Sequence, residues 1–121
     1  MIFLLAACAS PPTGSDSGPV DTADTSANVD PCVDAPHLTW ETFGQGFLTA
    51  QCQTCHASTA PDRHGAPDEV TFDTVEQAWL FADSILSSST GGMPSMPPAG
   101  GVPEDDRQRL TWWLSCGTPG T

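Results

Sequence analysis

Lysine is missing from this 121-residue chain, and its three cationic side chains are set against fifteen acidic ones. That shortage removes the positive footprint needed to hold phosphate backbones or anionic lipid, so nucleic acid is not expected as a partner. It favours a basic partner, with an attraction that weakens as salt rises. No apolar run approaches the roughly 20 residues of a bilayer-spanning helix. No segment alternates apolar and polar residues for long enough to make a strand, and no internal repeat is present. These absences point to the all-α class.

The N-terminus, MIFLLAACAS, has an apolar run, small residues and then Cys8. It looks like the end of a signal peptide, residues 1–7, and LAAC resembles the lipobox of bacterial lipoproteins. That resemblance makes Cys8 the lipidated N-terminus of an exported protein anchored on the periplasmic side of a membrane. Ala9 is not the aspartate of an inner-membrane signal, which leans toward the outer membrane by analogy. No Lys or Arg precedes the apolar run, which implies a start further upstream. The alternative is an ordinary signal remnant with a free Cys8. Residues 8–30 are Pro, Ser, Thr, Asp and Gly with almost nothing to bury, and read as a disordered tether.

The globular part is then residues 31–119, where eleven acidic residues face three arginines for a net charge of minus eight. Such a length is marginal for an unaided hydrophobic core, a difficulty that a bound apolar cofactor would relieve. Three main helices are expected. The first runs from Thr39 to Gln51, with Thr39 as N-cap and Trp40, Phe43, Phe47 and Leu48 at helical spacing. Gly44 and Gly46 lie inside it, each costing about 1 kcal/mol of helix propensity, and suggest that another backbone passes close by. The second begins at Asp73 with Glu76 in a capping-box arrangement. Val75, Trp79, Ala82 and Leu86 share a face, and SSSTGG ends it. The third starts at Pro103, carries acidic residues in its first turn, presents Leu110, Trp113 and Leu114, and stops at Gly117.

The chemistry-bearing stretch is Cys52-Gln-Thr-Cys55-His56. A thiol redox pair expects a βαβ context and has no use for the histidine. A structural zinc site needs four ligands, and the remaining Cys32 and Cys116 stand at opposite ends of the domain. Cys-x-x-Cys-His is also the signature of covalent c-type haem, in which two thiols join the porphyrin and the histidine ligates iron.

The region from Thr39 to Cys116 resembles a class I cytochrome c. The residues carrying the likeness are Gly44 and Leu48 ahead of Cys52, the motif itself, LTWWL near the C-terminus, and GGMPSMPPAGG between them. In that family an aromatic is more usual at the position of Leu48. The resemblance implies a cytochrome c-like fold of three main helices around covalent haem c, with the last helix crossing the first at Gly44. Cys52 and Cys55 would be the attachment points and His56 one axial ligand. Met96, followed by Pro97 and Pro98, is the expected second ligand, with Met93 the alternative. His37 and His64 are competitors for that position or else surface histidines. The family's helix packing, in an exported chain, also suggests a Cys32–Cys116 disulfide closing a loop of about 84 residues; two unpaired thiols are the alternative. Pro67 would supply a carbonyl to the second ring nitrogen of His56, and Arg63 and Trp79 are candidate propionate partners; a surface turn and a core tryptophan are the other readings.

With both axial positions filled, the expected function is not enzymatic. It is one-electron transfer between redox donor and acceptor proteins, with the membrane reached only through the lipid. The alternative is a haem-based sensor or haem enzyme with an open sixth position. An accessory lipoprotein of a larger complex is a third possibility.

Overall fold

The structure, a computed structural model, describes residues 30–117. The signal remnant, Cys8, most of the tether, and residues 118–119 of the expected domain lie outside the described residues. Within them the fold is all-α, with no strand.

A π-helical turn, Trp40–Gly44, runs directly into helix α1, Gln45–Gln51. Thr39 caps it as expected. Its hydroxyl accepts from the Thr42 N–H, and its own N–H donates to the Thr42 hydroxyl. Cys52 breaks the helical geometry at φ −124°, and the chain resumes as α2, Gln53–His56. The expected second helix is two, α3 (Val75–Leu80) and α4 (Ala82–Ser89), separated at Phe81. Its cap is Thr74 paired with Gln77, one residue later than the Asp73–Glu76 box, because the Gln77 side chain reaches back to the Thr74 and Asp73 N–H groups. The buried face shifts with it. Ala78 and Ile85 are the buried apolar positions, and Val75, Ala82 and Leu86 pack at their edge. Helix α5, Glu104–Cys116, follows Pro103 and buries Leu110, Trp113 and Leu114 as expected.

Trp113 is the centre of the core, at 1 % exposure. Trp40, Phe43 and Trp79 surround it, with ring centroids 6.2, 6.2 and 6.0 Å away. These are ordinary tilted and edge-to-face separations, worth roughly 0.5–1.5 kcal/mol per pair beyond burial. The close approach anticipated at the helix glycines is real at one of them. A Cβ on Gly44 would lie 2.6 Å from Cη2 and 2.7 Å from Cε2 of Trp113, whereas one on Gly46 would meet nothing within 4 Å. The neighbour is a ring rather than a backbone, and it sets where α5 crosses the first helix.

Cys32 and Cys116, the pair expected to join, are brought to disulfide distance with Cα atoms 5.4 Å apart. That lies inside the usual range for the bond. It fastens the turn ahead of the first helix to the end of α5.

Candidate haem-attachment site

The Cys-x-x-Cys-His motif occupies the kink between α1 and the single turn of α2, which turns its three side chains toward a common space. Cys52, Cys55 and His56 line one cavity of about 490 Å³. Phe72, Phe81 and Ile85 supply apolar wall, and Met96, Pro97 and Pro98 close another part of it. The size lies within the range usual for small-molecule and cofactor sites.

His56 is oriented from behind. Its Nδ1 lies 3.0 Å from the Val70 carbonyl oxygen. A carbonyl only accepts, so Nδ1 carries the proton and Nε2 keeps its lone pair for a metal. Stacking on Phe72, with centroids 4.8 Å apart, restricts the ring further. This corrects the expectation for Pro67: Val70, three residues on, serves His56, and the Pro67 carbonyl accepts from Arg63 instead. Proline spacing pointed to the right loop but not to the residue within it.

Arg63, expected either as a propionate partner or as part of a surface turn, directs its guanidinium at its own loop. Its guanidinium donates to the carbonyls of Ala57 (2.7 Å), Ala66 (3.3 Å), Pro67 (2.6 Å) and Val70 (2.9 Å). Those four bonds fold the loop after the motif around one cation, and one falls on the carbonyl that holds His56. The same loop is tied to α2 at its far end. Phe72 N–H donates to the His56 carbonyl, Gln53 donates to the Phe72 carbonyl, and Asp73 accepts from the Ser58 N–H.

Trp79 packs on Trp113 and beside Gly117, outside the cavity wall, and its buried Nε1–H has no partner among the described residues. Of the two methionines, Met96 lines the cavity and is 38 % exposed, while Met93 is 95 % exposed and does not line it. His64 stands in the cavity lining, held by its N–H to the Asp62 carboxylate. His37 lies by the disulfide and away from the cavity.

The Cys52 thiol is unlike the attacking thiol of a redox pair. Burial, with neighbouring Cys55 adding to it, pushes the Cys52 thiol up to about 11. A reactive Cys-x-x-Cys pair instead needs a depressed thiol pKa. A zinc centre is equally poorly supplied, since no three His, Cys, Asp or Glu side chains gather as a metal-binding group among the described residues. What the cavity gathers is two thiols, an imidazole and a thioether within an apolar lining.

Val70 and Arg107 are residues that sequence reasoning missed. Nothing marks Val70 in the sequence, since its backbone carbonyl does the work. Arg107 was legible: it lies three and seven residues before Leu110 and Leu114, on the apolar face of α5.

Comparisons with protein-family models, with curated proteins and with solved structures return no match.

Proposed function

We propose that this chain is a mono-haem c-type electron carrier with a cytochrome c-like fold. The observation carrying the reading is the convergence of Cys52, Cys55, His56 and Met96 on one apolar cavity. The crossing of α5 over the first helix at Gly44, and the Met-Pro-Pro segment ahead of α5, support the same fold. Cys52 and Cys55 would hold haem c covalently, and His56 and Met96 would be the ligands to its iron. When bound, that group supplies reversible one-electron exchange between ferrous and ferric iron.

The chain's own contribution is to hold and to exclude. Val70 fixes the His56 tautomer, and such a bond raises the basicity of a ligating imidazole. Phe72, Phe81 and Ile85 give the cavity an apolar wall. Were His56 and Met96 both to ligate the iron, neither place would be left for a substrate, so the partners are proposed to be redox proteins. Lipid at Cys8 is proposed to keep the domain near a membrane, raising its effective concentration beside them.

The test is a pyridine haemochrome spectrum with intact mass, on protein matured by working haem-attachment machinery. A porphyrin adduct on Cys52 and Cys55 is expected, and bare polypeptide would refute the reading. A near-infrared Met–iron band in the oxidised protein, lost in Met96→Ala and kept in Met93→Ala, assigns the thioether. A high-spin spectrum in the unaltered protein would instead support a sensor or enzyme with an open iron position.

A further inference from the structure

Arg107 is a buried cation without a carboxylate. It is 8 % exposed, lies on the inner face of α5, and makes no ion pair among the described residues. Burying an unpaired guanidinium is costly, and an apolar residue of similar volume often serves packing better. Some other requirement must hold it there.

Its hydrogen bonds indicate what that requirement is. Nη1 donates to the carbonyl of Ser89, the last residue of α4, and more weakly to the carbonyl of Met96 at 3.4 Å. The first contact sets the positive charge against the negative end of the α4 dipole, which offsets part of its desolvation. The second falls on the methionine at the cavity. Two further bonds meet it from the other side: the Ser88 carbonyl accepts from the N–H groups of Ser95 (2.8 Å) and Met96 (2.9 Å). Met96 is therefore held through both its N–H and its C=O. Met93, three residues earlier on the same segment, points into solvent.

We infer that Arg107 is the positioning residue that locks the Met96 segment against α4 and keeps its thioether at the cavity. The inference rests on the electron-carrier reading. It has a second consequence, because a buried positive charge beside the cavity favours the reduced state of a redox group held there. Removing the charge lowers the reduction potential; removing the hydrogen bonds weakens Met96 as a ligand.

The experiment compares holoprotein with Arg107→Met and Arg107→Lys, checking covalent haem in each by pyridine haemochrome. Imidazole is the probe, titrated against the ferric iron. Losing charge-assisted bonds of ordinary strength makes imidazole displace Met96 about tenfold more readily in Arg107→Met. The same variant has a lower potential and a weaker near-infrared Met–iron band. Arg107→Lys, which keeps the charge, recovers the potential more fully than the imidazole affinity. Haem-loaded Arg107→Met with affinity and potential unchanged overturns the inference and leaves the carrier reading intact. Absence of haem, or of the Met band in unaltered protein, overturns both. Should neither variant accumulate, NMR of the unaltered ferrous protein decides: slowly exchanging Arg107 guanidinium protons with a nuclear Overhauser contact to Met96 are expected, and rapid exchange without that contact refutes it.

Discussion

The indole of Trp113 occupies the space in which a side chain on residue 44 would begin. This one contact couples the first helix to the last, and it converts a helix-weakening glycine into a packing requirement. Around it lie Trp40, Phe43 and Trp79, so displacing the ring disturbs the whole aromatic core.

Alanine at the two helix glycines should therefore act with opposite sign. Gly46→Ala has open space and should gain about 0.5–1 kcal/mol of helix propensity. Gly44→Ala must move Trp113 and should lose about 1–3 kcal/mol by overpacking, despite the same propensity gain. Denaturant unfolding of both variants reads the difference. A stabilised Gly44→Ala would show that the two helices do not cross there.

Joining Cys32 to Cys116 constrains a loop spanning 84 residues of sequence. Chain entropy alone puts the contribution at about 4 kcal/mol. Non-reduced peptide mapping should yield one linked peptide containing both cysteines, and Cys32→Ser with Cys116→Ser should lower the unfolding midpoint. Recovery of both as free thiols from oxidised protein would contradict the pairing.

Helix ends and the apolar face of α5 were legible because caps and periodicity are local: Thr39, Leu110, Trp113 and Leu114 all stand where their spacing puts them. The second helix was less so. Its register depends on Gln77 reaching back to Thr74, a choice that Glu76 and Asp73 obscure in the sequence. At the site, the motif and Met96 were visible as residue types. The support behind His56 was not, since it is made of carbonyls that any residue carries. Arg63 illustrates the limit: an isolated arginine near a motif suggests an anion, and only the folded loop gathers four carbonyls around it.

In haem-free protein the two motif thiols should differ in reactivity. The folded Cys52 thiol is raised from 9.0 to about 11 by burial and by Cys55, so its neutral form is favoured. Because the folded value lies above the unfolded one, this contribution to stability is complete below pH 9.0 and is lost as pH rises toward about 11. Iodoacetamide at pH 8 should label Cys55 before Cys52, as mass spectrometry of timed digests would record. Equal labelling rates would refute the burial of Cys52.

Arg63 offers the sharpest separation of folding from ligand tuning. Its guanidinium meets four carbonyls, and hydrogen bonds to a charged group contribute about 1.5–3 kcal/mol when a buried partner is left unsatisfied by their removal. Arg63→Ala should thus cost roughly 2 kcal/mol, with the loop from Ala57 to Val70 the first region to exchange its amide protons. Because Val70 also holds His56 Nδ1, a loosened loop weakens that bond and would make the imidazole a poorer donor to the proposed haem iron. If haem is bound as proposed, a less basic ligand would stabilise ferric iron less, so the reduction potential should rise. Losing the positive charge of Arg63 acts the other way, and Arg63→Lys, which keeps the charge but cannot span four carbonyls, isolates the hydrogen-bond effect. A higher potential in Arg63→Lys than in unaltered protein is expected. An unchanged potential together with faster loop exchange would mean that Arg63 shapes the loop without reaching His56.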